Sequence, residues 1–165
     1  MYKNIEIILV GGEPTLHPDL YEFCVNLTNN KIRYAVFSNG TANIEYYTKL
    51  MSLDLCDLEF SYHSINNKYN IDFFKKTRAL INIADHNRKY DNKLLINVMA
   101  EDTDLKHLQS LITVFNSFNI PNKYLFIAPI FIDNKLKNYS QQYLNYVLEF
   151  NKYKDVKLNV IDILD

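Results

Sequence analysis

Cysteine is scarce in this chain of 165 residues: Cys24 and Cys56 are the only two, far apart and in no close-spaced pair. That spacing argues against a disulfide framework, and each is expected to be a small buried hydrophobe. An excess of basic charge is lacking too. Eighteen Lys and Arg stand against 19 Asp and Glu, a formal net charge of −1, with no basic cluster. No nucleic-acid footprint is therefore expected. No apolar run approaches the length of a membrane span. Met1-Tyr2-Lys3-Asn4 leads directly into an apolar stretch, leaving no room for a signal peptide, so the expected location is cytoplasmic. A Gly-x-Ser-x-Gly elbow, a Walker loop and a His-Glu-x-x-His sequence are all absent. His17, near a helix start, reads as structural, and His86 and His107 lie on or beside helices with no partner at zinc-ligand spacing, so no metal site is expected.

What remains is an ordinary globular composition, 48% hydrophobic and 22% charged. The length suits one domain, residues 1–165, with a real core. The stretch from Ile5 to Leu20 organises it. Ile5-Glu6-Ile7-Ile8-Leu9-Val10 is a continuous apolar run with one acid, as in a buried parallel strand. It ends in Gly11-Gly12-Glu13-Pro14, which delivers a carboxylate to the carboxyl end of a sheet, where α/β folds place their sites. The two glycines permit a tight turn and close approach to a ligand. Pro18 is expected in the first turn of the following helix.

The rest of the chain repeats this unit. A helix carries Leu20, Phe23, Cys24 and Leu27 on one face. Ile32 to Phe37 is a strand ending at Ser38-Asn39-Gly40-Thr41, residues with turn chemistry. Asn43 caps a helix carrying Ile44, Tyr47, Leu50 and Met51. Asp57 to His63 alternates, Leu58, Phe60 and Tyr62 against Asp57, Glu59, Ser61 and His63. A helix over 71–85 has Phe73, Phe74, Leu80, Ile81 and Ala84 as its core face. Leu94 to Met99 is a strand, and the helix from Leu105 to Phe118 buries Leu108, Leu111, Ile112 and Phe115. Tyr124 to Ala128 is a strand, Gln141 to Phe150 a helix, and Val156 to Ile163 a last strand. Such alternation with short connections predicts an α/β fold, a parallel sheet with outer helices and strands in sequence order. Five or six units would form an open, partial (β/α) barrel of the TIM type.

GGEPTLHPDL resembles the second βα junction of the radical S-adenosylmethionine (SAM) enzymes. The resemblance implies a partial barrel that uses SAM and a [4Fe–4S] cluster for radical chemistry. In that family the glutamate of the motif accepts a hydrogen bond from the SAM amino group, which assigns that role to Glu13, beside Gly11, Gly12 and Pro14. Ser38-Asn39-Gly40 resembles the turn ending the family's third strand. Ser61 and His63 match the fourth-strand end, where a serine contacts SAM. Asn97 falls on the fifth strand, directed inward, and Ala128-Pro129 would pass near the adenine.

The Cys-x-x-x-Cys-x-x-Cys loop that holds the family's cluster, and the strand before it, have no counterpart here. Two distant thiols cannot supply three cluster ligands in one loop. The expectation is a radical SAM core that lacks its first strand and holds no cluster by itself, with no catalytic residue of its own assigned. The alternative is a degenerate, non-catalytic barrel kept as a binding or interaction module. The substrate is not readable. Without a preceding strand, Ile5 to Val10 would form an exposed apolar edge. It is expected to self-associate, or to pair with a separate polypeptide that supplies the missing strand and cluster loop.

Overall fold

Alternating strands and amphipathic helices follow one another along the chain with short connections, and each helix returns over the same face of the sheet. The structure, a computed structural model, describes residues 6–63, 69–87, 93–100, 104–129, 131–132, 135–136 and 138–152. The order is β1 (Glu6–Leu9), α1 (Leu20–Asn29), β2 (Arg33–Ser38), α2 (Ile44–Met51), β3 (Cys56–Tyr62), α3 (Ile71–His86), β4 (Leu94–Ala100), α4 (Leu105–Ser117), β5 (Leu125–Pro129), β6 (Phe131–Ile132), β7 (Lys135–Leu136) and α5 (Gln141–Asn151). Strands β1 to β5 form one sheet in sequence order, parallel throughout, and β6 pairs with β7 in a separate antiparallel hairpin. Among the described residues β1 and β5 do not meet, so the barrel is open. The expected strand over 156–163 lies outside the described residues. No described helix is long and apolar enough to cross a membrane.

The period of two along β3 sorts its side chains onto two faces: Cys56, Leu58, Phe60 and Tyr62 are buried, while Asp57, Glu59 and Ser61 are only half-buried. In register, Tyr34, Val36, Leu94, Ile96, Val98, Leu125 and Ile127 join the first set and pack under the helices. Both cysteines belong to this core and are fully buried, as expected. The helix side is dense in aromatics: Phe74 lies 5.0 Å from both Phe115 and Phe118 and 5.2 Å from Tyr62, ring centre to ring centre. Edge-on and offset contacts of this kind add to the hydrophobic gain of burial. The stripes expected of α3 and α4 are buried in full.

Two local expectations are corrected. Pro18 is not in a helix: α1 starts at Leu20, behind a short 3-10 helix over Pro14–Leu16 that occupies the loop. Phe23 is 47% exposed, because Leu20, Cys24 and Leu27 alone fill the contact with the sheet. Asp57 and Glu59, on the half-buried face of β3, both have partners. Arg33 donates to Asp57 Oδ2 through Nε and Nη2 at 3.0 and 2.8 Å, and Asn97 Nδ2 donates to Glu59 Oε2 at 2.8 Å.

The two outer strands differ. Ile8 and Val10 on β1 and just beyond it are 56% and 62% exposed, the apolar edge that the sequence led us to expect. On β5, the side chain of Asn151 accepts from Ile127 N at 3.1 Å and donates from Nδ2 to Ile127 O at 2.8 Å. A side-chain amide there does the hydrogen bonding of a neighbouring strand.

Candidate ligand site at the carboxyl ends of the first strands

Gly11 and Gly12 leave β1 with φ of +103° and +54°, conformations that residues with a Cβ rarely adopt. Nothing lies within 4 Å of the position a Cβ would take at either, so it is the backbone turn that requires glycine, and the space above is open. The turn brings Glu13 round to face the end of β2. There its carboxylate caps the 3-10 helix that Pro14 begins. Glu13 Oε1 accepts from Thr15 N at 3.2 Å, Thr15 Oγ1 at 2.6 Å and Ser38 Oγ at 2.7 Å. Glu13 Oε2 accepts from Asn39 N at 2.7 Å. Burial alone would disfavour the charged form, but the hydrogen bonds from Thr15, Asn39 and Ser38 together outweigh it and hold the carboxyl below its ordinary value.

The polarity of the network behind Glu13 follows from what each group can give. The carboxylate only accepts, so the single proton of Ser38 Oγ points at Glu13. Tyr47 Oη, 2.7 Å from Ser38 Oγ, must then donate to it, and itself accepts from Ala42 N at 3.1 Å. The result is a directed chain, Ala42 N–H to Tyr47 to Ser38 to Glu13, in which each bond polarises the next. Burial raises the pKa of Tyr47, and the nearby Glu13 charge adds to that, keeping the phenol a donor. Gly40 closes the turn at φ +78°, where a Cβ would also lie 2.9 Å from the Phe73 ring. Asn39 Oδ1 accepts from Thr41 N at 3.0 Å, completing an Asx turn.

The structure thus brings together Gly11, Gly12, Glu13, Pro14, Ser38 and Asn39. Ser61 and Asn97 are cross-strand partners on the open face of β3 and β4, with Ser61 half-buried and Asn97 nearly buried against Glu59. His63 sits just past β3 and is exposed. The donors to the Glu13 carboxylate come from Thr15, Ser38 and Asn39, and Asn97 donates to Glu59. Sequence reasoning did not pick out Thr15, Tyr47 or Glu59. Thr15 was legible in principle, since a threonine two residues after a capping acid is placed to bond it. Tyr47 had no such signal, because it occupies a core position of α2.

An open groove of about 620 Å³ runs beside this turn, lined by Leu9, Gly11, Gly12, Glu13, Leu16 and Leu20 among others. No group of three or more His, Cys, Asp or Glu side chains able to hold a metal occurs among the described residues. Cys24 and Cys56, the only two thiols, are both fully buried in the core, where burial also raises them, and two thiols are too few for an iron–sulfur cluster. The described residues therefore do not fit a cluster.

An open, all-parallel (β/α) sheet with a carboxylate fixed at the end of its first strand defines the class of fold. The chain is similar in fold to SuiB of Streptococcus suis. Against SuiB bound to S-adenosylmethionine, the TM-score is 0.57 at 15% identity, over 89% of this chain and 36% of SuiB. A second SuiB structure gives 0.57 and 15%, over 93% of this chain and 38% of SuiB. A domain of pyruvate-formate lyase-activating enzyme from Bacteroides vulgatus gives 0.58 at 17% identity, over 88% of this chain and 92% of that domain. The chain thus spans little more than a third of SuiB but nearly the whole of the second protein's domain. No protein-family model matches the sequence, and no curated protein matches it significantly.

Proposed function

We propose that this chain is the main part of a radical SAM enzyme core and that the turn at Glu13 is its SAM-binding end. The observation that carries the reading is the state of the Glu13 carboxylate. Oε1 is filled by three donors, whereas Oε2 takes one, leaving it the oxygen with capacity for an ammonium group. Gly11 and Gly12 let a ligand come close, and Ser61, His63 and Asn97 are proposed as further contacts along the strand ends. The fold likeness to a protein crystallised with SAM, and to an activating-enzyme domain, supports this. A [4Fe–4S] cluster, which the reading implies for the whole enzyme, would need ligands from outside the described residues, and the chain is expected to be incomplete as a catalyst.

Affinity should be weak. One charge-assisted hydrogen bond is worth roughly 1.5–3 kcal/mol, while millimolar binding needs about 4 kcal/mol. Glu13 with a few backbone contacts just reaches that level. Isothermal calorimetry of SAM into the iron-free protein is expected to give a Kd near the millimolar range, lost in Glu13→Gln. Absence of binding at several millimolar SAM overturns the reading, and a sub-micromolar Kd overturns the account of how it binds.

We further propose that the β1 edge pairs with another polypeptide, either a second copy or one supplying a further strand. Exposed Ile8, Val10 and Leu16 (the last 78% exposed) are the surface such a strand would cover. Sedimentation equilibrium should show self-association of the isolated protein, abolished by Ile8→Lys with Val10→Lys. A concentration-independent monomer would count against it.

A further inference from the structure

Lys76, on α3, reaches across to the loop between β2 and α2. Its Nζ donates to Gly40 O and Ala42 O, both at 2.6 Å, and to Thr41 O at 3.3 Å. Three consecutive main-chain carbonyls thus converge on one ammonium, which also lies 6.0 Å over the Tyr47 ring. An ammonium has three donors and no acceptor, so this arrangement uses its full capacity. The same loop supplies Asn39 N to Glu13 Oε2, Gly40 N to Ser38 Oγ at 3.1 Å and Ala42 N to Tyr47 Oη. Of the peptide units whose carbonyls Lys76 holds, Thr41–Ala42 presents its N–H to Tyr47 Oη, at the head of the chain that ends on Glu13, and Gly40–Thr41 presents its N–H to Asn39 Oδ1, which fixes the turn that carries the Asn39 amide.

We propose that Lys76 is a positioning residue for the Glu13 carboxylate, acting as a tethered cation that fixes the 40–42 carbonyls and so aims the Ser38 hydroxyl and Asn39 amide. It touches no ligand. Three carbonyl dipoles turned to one side repel one another, and a cation among them removes that cost. Without it the loop relaxes, and two of the four donors to Glu13, the Ser38 hydroxyl and the Asn39 amide, lose their direction. The consequence for SAM rests on the function proposed above, whereas the effect on Glu13 itself does not.

The test uses Lys76→Met, which keeps the stem and removes the charge, and Lys76→Arg, which keeps the charge but whose planar group cannot meet all three carbonyls. Titration of Glu13 by carboxyl carbon NMR and amide exchange at Asn39 are read without ligand, and SAM affinity is read by calorimetry. In Lys76→Met, Glu13 should titrate closer to an ordinary carboxyl, Asn39 should exchange at least tenfold faster, and the SAM Kd should weaken at least fivefold. Lys76→Arg should fall between Met and wild type. If Lys76→Met keeps the wild-type Glu13 titration and Asn39 exchange, the proposal is overturned. Should Lys76→Met fail to fold, Lys76→Arg decides: unchanged titration and exchange there overturn it equally. A wild-type protein that binds no SAM, with the Glu13 effects intact, sinks the function and leaves the positioning role standing.

Discussion

Glu13→Gln is expected to cost about 2–3 kcal/mol at pH 7, read as a lower urea midpoint. The carboxylate accepts four hydrogen bonds that join the ends of β1 and β2. Gln supplies one acceptor oxygen and one NH₂, so a donor must face a donor, at Asn39 N–H or at the Ser38 and Thr15 side. Ser38 is 3% exposed, and water cannot readily replace its partner. Hydrogen bonds to a charged group contribute roughly 1.5–3 kcal/mol each when dry, and the exposure of Asn39 holds the total loss to about that of one such bond. The effect has a pH signature. Glu13 is held below its ordinary value of 4.5 in the folded protein, so it stabilises fully above that value. The contribution is lost as pH falls through the folded pKa. The gap between wild type and Glu13→Gln should thus be widest at neutral pH and narrow steadily below pH 4.5. A gap independent of pH would mean that the charge plays no part.

Phe74→Ala is expected to cost about 3–5 kcal/mol, the usual range for a buried phenylalanine. Phe74 is fully buried, stacked on Phe118 and edge-on to Phe115, with Tyr62 beside it. Rings anchored on α3, α4 and β3 cannot all collapse into the gap. Against a typical total of roughly 5–15 kcal/mol this is a large fraction. Part of the damage should reach the ligand end. Phe73, next to Phe74, packs against Gly40, and Lys76 reaches the same turn from the next half-turn of α3. Denaturant unfolding should show the loss, and amide exchange at Asn39 should quicken with it. A variant as stable as wild type would show that the aromatic cluster is not the keystone of the helix layer.

Strand ends were legible because the chemistry that makes them is local. Apolar runs stop at Gly11-Gly12 and at Ser38-Asn39-Gly40, and the alternation from Asp57 states which face of β3 is buried. The Asn43 cap was legible for the same reason, and Asn43 Oδ1 does accept from Tyr46 N at 2.8 Å. Pairings across the fold were not. Lys76 is one of two adjacent lysines on α3 and in sequence looks like its neighbour Lys75, since its carbonyl partners lie some 35 residues earlier. Arg33 and Asp57 meet diagonally across β2 and β3, Asp57 standing opposite Ala35, a pairing that no spacing announces. Glu13 was found for its position at a strand end, but the purpose of Ser38 and Asn39 was only half seen. They read as turn formers, and they are also the groups that orient the acid.

The amide of Asn151 has a consequence for how this protein can and cannot accumulate. Ile127 turns its N–H and C=O outward, and both are already taken. Two positions on, Pro129 faces the same way and has no N–H to offer. A second molecule therefore cannot dock its β1 onto this β5 and leave its own β5 waiting for a third. Head-to-tail stacking, the geometry that produces fibres, is blocked at its first step. Among the described residues this leaves β1 as the open edge of the five-stranded sheet, and β1 against β1 uses up that edge in both copies at once. Copies of this chain that meet should stop at two, so a sheet open at one side yields a finite particle instead of a filament.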